Sequence, residues 1–394
     1  MTRQTEAAIA AHRFGMGAGP QDLERISADP KAWLRAQTRD PAAFMVTRAD
    51  LISAADGFAR FADYRMAQRD APDNAEKAAA SIRQDIAPIL AAEVSARTDH
   101  AIATPNGYAE RLALFWANHF TVAAVKAQTL PLAGAYEREA VRANLTGTFA
   151  DLLSATSRHT GMLIYLDQAQ SIGPSTRLAK RRDLGLNENL AREILELHTV
   201  GVDSGYTQDD VTEFARALTG WTVSSRLTAR FAPDIPIGQS FFADTLHEPG
   251  TRTIMGKRYA QSGAAQSAAI LADLAAHPAT AKRIARKLAT HLIADNPPAS
   301  AVTALETAFT RSGGSLPALH AAAVDLKEAW DPQPAKFRTP YEFLTASLRA
   351  LGQKTLPVLR LQQTFQLLGR HPCAHPRRKA GRMTRQAGRA PTPS

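Results

Sequence analysis

Apolar residues recur three and four positions apart through most of this chain, and that spacing commits it to α-helices that each bury one face. Ile82, Ile86, Ile89 and Leu90 form one such stripe, and Ile284, Leu288 and Leu292 form another near the end. Hydrophobic residues make up 45% of the 394 and charged residues 21%, enough apolar area for a packed core. The expected class is all-α, a single large helical domain over residues 1–369. One excursion interrupts it between Thr222 and Tyr259. There Pro233, Pro236 and Gly238 break the helical pattern, and two β-rich runs, Ser240 to Leu246 and Arg252 to Met255, flank Glu248-Pro249-Gly250. These residue types predict a small β-hairpin.

The same pattern excludes several classes of protein. No apolar run reaches the length needed to cross a bilayer. Met1 to Gly15 carries Glu6 and His12 where an export signal needs an apolar block, so a cytoplasmic protein is the expectation. Cys373 is the only cysteine, which rules out an internal disulfide and a cysteine-rich zinc site. The net charge of +10 suggests nucleic acid until its location is noted. Arg370, Arg377, Arg378, Lys379, Arg382, Arg385 and Arg389 lie in an acid-free tail, and without those seven the body carries +3. That is an ordinary surface. Lys282, Arg283, Arg286 and Lys287 form a coherent basic arc on one helix after His277-Pro278, but no aromatics are interleaved for base stacking.

Familiar motifs fail on physical grounds. Gly15-Met16-Gly17-Ala18-Gly19 is followed by Pro20 where a dinucleotide fold needs its third glycine, and reads better as a helix stop with Pro20 opening the next helix. Gly250 to Lys257 has one residue too many for a phosphate loop, and Arg258 replaces the magnesium-binding hydroxyl. A calcium loop around Gly205 would place Val200 and Val202 at ligand positions, which aliphatic side chains cannot fill. Neither H-E-x-x-H nor G-x-S-x-G occurs.

Hydrogen-bonding groups concentrate from Asn187 to Trp221. On a helical wheel Glu188, Asn189, Arg192, Glu193 and Glu196 share one arc, while Leu190, Ala191, Ile194, Leu195, Leu197, Asn187 and His198 share the other. Gly201 ends this helix, and Thr207-Gln208-Asp209-Asp210 opens the next with a hydroxyl cap and an acid three residues on. The carboxylates Glu193 and Glu196, with His198 and Arg192, are the candidates for metal-assisted or acid–base hydrolysis. Asn187, Asn189, Arg216 and Trp221 are the candidates for holding a small ligand. An earlier helix, Tyr108 to Ala123, also turns a histidine inward, so His119 could meet His198 as a ligand for a divalent metal. His247 is a third candidate. The competing account is a buried hydrogen-bonded network that fixes the fold of a non-catalytic partner protein, with both histidines donating to backbone carbonyls.

Arg13-Phe14-Gly15, Phe115-Trp116-Ala117-Asn118-His119-Phe120, Tyr165-Leu166-Asp167, and above all Asn187-Glu188-Asn189-Leu190-Ala191-Arg192-Glu193 with Glu196-Leu197-His198-Thr199, resemble the bacterial domain of unknown function 1800 family. Gly205-Tyr206-Thr207 and Ala217-Leu218-Thr219-Gly220-Trp221 continue the resemblance, which spans Ala7 to Gly369. It implies a helical bacterial protein without an assigned activity, often encoded beside a sulfatase-like protein. It also implies a C-terminal segment rich in Gly, Trp, Pro and acids. Here residues 370–394 are basic and contain neither acid nor aromatic, a composition that predicts disorder. With GC-rich codons, Lys379 to Thr392 reread one frame over gives Gly-Trp-Pro-Asp-Asp-Ala-Ala-Gly-Trp-Ala-Gly-Pro-Asp-Ala. A frameshift near residue 370 is one expectation; a native basic tail that docks on an acidic partner is the other.

Overall fold

The computed structural model describes residues 1–70, 82–182, 185–333 and 335–367. The basic tail and Cys373 lie outside these residues. Helix accounts for 64% of the described structure, as the three-and-four spacing requires. The largest apolar cluster gathers residues from Ala7 to Trp330, including the fully buried Phe14, Tyr108, Trp116, Phe120, Phe149 and Phe214. Each such side chain contributes about 1.5–3 kcal/mol by leaving water.

The Gly107–His119 helix runs through this cluster and is apolar on nearly every side. Trp116 Nε1 donates to His320 Nε2 at 2.9 Å, and the Tyr108 hydroxyl donates to the His320 carbonyl at 2.8 Å. The helix stops at His119, short of the Ala123 expected from the apolar stripe. Phe120 leaves helical geometry at φ −105° and ψ 50°, its carbonyl accepts from the Tyr136 hydroxyl at 2.8 Å, and the Thr121 hydroxyl donates to the Asn118 carbonyl at 2.8 Å.

The glycine-rich stretch after Phe14 is a packing device. Gly17 has φ +102°, and a Cβ there would stand 2.7 Å from the Ala346 Cβ. Arg349 donates to the Gly17 carbonyl at 2.9 Å and to the carbonyls of Ala101, Ile102 and Thr104 at 3.2, 3.0 and 2.8 Å. One guanidinium thereby satisfies the C-terminal end of the Ala87–Ala103 helix and holds the glycine loop against it. Pro20 does not open the following helix as the sequence suggested. It sits in the turn, Gln21 takes a left-handed conformation at φ 66°, and the helix spans Asp22–Ser27.

The β excursion consists of two small antiparallel sheets. Strand β1 (Trp221–Val223) pairs with β2 (Ser240–Phe242), with Trp221 opposite Phe242, and β3 (Arg252–Ile254) pairs with β4 (Lys257–Tyr259). The two β-rich runs therefore do not pair with each other. Met255 and Gly256, at φ 50° and 77°, supply the two left-handed residues of a tight hairpin turn between β3 and β4. Glu248 is drawn away from any turn by bonding Ser175, whose amide and hydroxyl donate to its carboxylate at 2.8 and 2.5 Å.

Candidate functional site

The central helix begins where Asn187 Oδ1 accepts the Asn189 amide at 2.8 Å. It runs as α-helix over Asn189–Glu193 and widens into a π-helical turn over Ile194–His198. Such turns insert one extra residue and occur often at functional sites. Gly201, at φ +89°, closes the helix with its amide on the Leu195 carbonyl at 2.8 Å. Thr207 and Asp210 form the expected reciprocal cap at the start of Gln208–Leu218.

The polar arc divides into two parts. Glu188 is the junction of the helical hairpin: its carboxylate accepts from the Thr212 hydroxyl at 2.6 Å, from Gln208 Nε2 at 2.8 Å and from Arg192 Nη2 at 3.0 Å. Arg192 also donates to Gln208 Oε1 at 2.9 Å. The Thr212 bond, with Gln208 and Arg192 behind it, holds the Glu188 carboxyl below the usual carboxylate range.

Glu193 and Glu196 are different. Both are half-buried, and no described residue donates a hydrogen bond or forms an ion pair to either carboxylate. Burial pushes the Glu193 carboxyl above its usual range, and the charge of Glu196 pushes it further. Two phenols stand beside the pair. Burial raises Tyr165, with Glu193 adding to the rise, and burial raises Tyr206, with Glu196 adding. Glu193 thus holds its proton to a higher pH than an ordinary carboxyl does, and a raised carboxyl beside a second carboxylate is an arrangement acid–base chemistry uses.

The two inward histidines do meet, with ring centroids 6.0 Å apart. His119 Nε2 donates to the His198 carbonyl at 3.0 Å, and its Nδ1 accepts from the Lys287 ammonium at 2.5 Å. Both ring nitrogens are occupied, and burial, then Lys287 and His198, hold His119 neutral far below its ordinary pKa. His198 is 4% exposed, and its Nδ1 is buried without a hydrogen-bond partner among the described residues. Burial, then Lys287 and Arg283, push its pKa down to about 3. An unmet buried hydrogen-bonding group costs about 1–3 kcal/mol, so the position is not optimised for stability alone.

The remaining candidates lie elsewhere. Arg216 pairs with Glu213, which also receives Arg252 at 3.3 Å. Trp221 Nε1 donates to the Ser267 hydroxyl at 3.1 Å, and the Arg158 guanidinium lies 4.9 Å above its ring. His247 Nδ1 donates to the Thr219 carbonyl at 2.9 Å. No described contact joins these residues to Glu193 or Glu196. Among the described residues, no group of three or more His, Cys, Asp or Glu is arranged to hold a metal ion.

Sequence reading overlooked the most deeply buried charges in the chain. Arg142, with a fully buried side chain, grips both oxygens of the fully buried Glu110 at 2.7 and 2.9 Å, Glu137 at 2.9 Å and the Phe44 carbonyl at 3.0 Å. Arg97 closes on Glu137 at 3.1 Å and His100 lies 3.4 Å from Glu110. A signal existed: a helix apolar on almost every face is buried all round, so its Glu110 and Arg111 had to find partners inside.

Fold and centre together define a mainly helical protein with two minor β-ribbons, whose central hairpin presents a half-buried carboxylate pair. The chain belongs to the family described as Protein of unknown function (DUF1800), whose sequence profile matches residues 9–379. No curated protein and no solved structure matches it. No helix among the described residues is long and apolar enough to cross a membrane.

Proposed function

We propose that the protein is a hydrolytic enzyme in which Glu193 and Glu196 act as an acid–base pair on a small bound ligand. The observation that carries this reading is the Glu193 carboxyl, raised by burial beside a second carboxylate and given no hydrogen bond by any described residue. A carboxyl kept only for folding would have its charge answered, as Glu188 and Glu110 do. Glu193 acts electrostatically on Tyr165 and Glu196 on Tyr206, and Asn189 stands exposed at the head of the same helix, available to a ligand. A divalent ion could join the pair only with solvent or substrate oxygens completing its shell, because neither His119 nitrogen is available without breaking a bond.

The second reading, a non-catalytic partner of a sulfatase-like protein, draws on the Glu188 junction, which ties Arg192 into the helical hairpin as a structural network would. Stability and metal content separate the two. Glu193→Gln and Glu196→Gln remove a charge that no described residue answers with a hydrogen bond or ion pair, so under the acid–base reading each melts at or above the wild-type temperature. Under the scaffold reading each melts earlier. Elemental analysis of the same three proteins shows whether a stoichiometric metal accompanies the pair. Earlier melting of both variants in a metal-free protein refutes the acid–base proposal.

A further inference from the structure

We propose that the open cavity lined by Glu6, Lys31, Lys327, Glu328, Trp330 and Asp331 binds a zwitterion, an apolar amino acid or short peptide whose ammonium meets the acids and whose carboxylate meets the lysines. Its volume of about 480 Å³ falls within the range of small-molecule sites, about 300–1,000 Å³. Three elements enclose it. The Arg3–Ile9 helix brings Glu6, the Pro30–Gln37 helix brings Lys31, and the Lys327–Trp330 turn with Asp331 brings the rest. That turn is fixed before any ligand arrives. Arg13 donates to the carbonyls of Ala329 and Gln333, both at 2.8 Å, Trp330 Nε1 donates to the Val324 carbonyl at 2.7 Å, and the Phe14 and Trp330 ring centroids lie 5.3 Å apart. A wall already ordered lowers the entropy a ligand must overcome. Arg13 and Phe14, which the carboxylate pair leaves without a role, thus shape this cavity.

The charges lining the cavity are left open to a ligand. Lys31, Lys327 and the Glu6 carboxylate form no hydrogen bond or ion pair with any described residue, and the Lys31 ammonium lies 5.3 Å from the centroid of the Trp330 ring. Glu328 accepts from the uncharged Ser300 hydroxyl at 2.5 Å, and Asp331 accepts from the Gln333 amide at 2.9 Å. Two lysines and three acids therefore share one space without closing an ion pair among themselves. A ligand with a single charge would be attracted by one set and repelled by the other, whereas a ligand carrying both signs answers both. Trp330 and Met1 add apolar lining for its side chain. This site does not depend on the acid–base reading.

The test titrates L-leucine and L-leucyl-L-leucine into the full chain by calorimetry, beside N-acetyl-L-leucine, which lacks the ammonium, and L-leucinamide, which lacks the carboxylate. We expect saturable binding of at least one zwitterion, with both blocked forms weaker by about tenfold or more. Preference for the dipeptide identifies a peptide ligand, and preference for leucine a free amino acid. Lys31→Gln and Asp331→Asn each weaken the preferred zwitterion about tenfold, while Glu193→Gln leaves it unchanged and so keeps this site separate from the acid–base pair. Absence of saturable binding of either zwitterion up to about 10 mM, blocked forms that bind as well, or binding unchanged in either Lys31→Gln or Asp331→Asn overturns the proposal. The comparison of the four ligands on the wild type decides even where a variant does not fold.

Discussion

Replacing Arg142 with methionine tests whether the buried charges around it hold the fold that presents the site. Methionine keeps much of the volume and removes the guanidinium, together with two bonds to Glu110, one to Glu137 and one to the Phe44 carbonyl. Glu137 retains Arg97, but Glu110, with no exposed surface, is left with only His100 at 3.4 Å. Removing one partner of a buried ion pair costs about 3–5 kcal/mol, chiefly because the abandoned charge stays desolvated. For a chain of this size the melting temperature should fall by about 6–10 °C, taking roughly 2 °C per kcal/mol. Urea unfolding measures the loss directly. The double variant Arg142→Met/Glu110→Leu should recover most of it, since no unpaired carboxylate then remains. A single-variant cost below about 1 kcal/mol, or a double variant no better than the single, would refute the reasoning.

Acid titration of the same pair has a defined sign. Burial pushes the Glu110 carboxyl up, but Arg142's charge and hydrogen bonds outweigh it, so its folded pKa lies below the unfolded value; Glu137 behaves likewise, with Arg97 leading. Their stabilisation is complete above an unfolded pKa of about 4.3 and is lost as pH falls through the folded values, so wild-type stability should drop below about pH 4. In Arg142→Met, Glu110 protonates more readily when folded, and the gap to wild type should narrow as pH falls. Glu188→Gln should cost about 0.5–1.5 kcal/mol in urea unfolding by weakening the bonds from Arg192, Gln208 and Thr212, and a change within error would show that the hairpin does not need that junction. Gly17→Ala should destabilise by more than about 1 kcal/mol, because it meets both a left-handed backbone and the Ala346 Cβ at 2.7 Å; a neutral result would mean that the Pro340–Ala350 helix shifts freely.

Helical class, the cap at Thr207, the stop at Gly201 and the buried sides of His119 and His198 follow from local rules, because periodicity and capping depend only on neighbours within a turn or two. The pairing of strands was not local. Nothing between Ser240 and Met255 shows that Glu248 will be claimed by Ser175 and that β2 will turn back to Trp221.

Charges show the same division. A wheel placed Glu188, Glu193 and Glu196 on one arc as equivalents, yet Thr212 and Gln208 from the second helix answer the first and nothing described answers the other two. Spacing along the chain determined which side chains face inward and some of the helix ends, the cap at Thr207 and the stop at Gly201 among them. Only the tertiary structure decided which ionisable groups would be neutralised, because a charge's partner comes from a segment such as Arg142 for Glu110 or Lys287 for His119, far along the chain and brought close by packing alone.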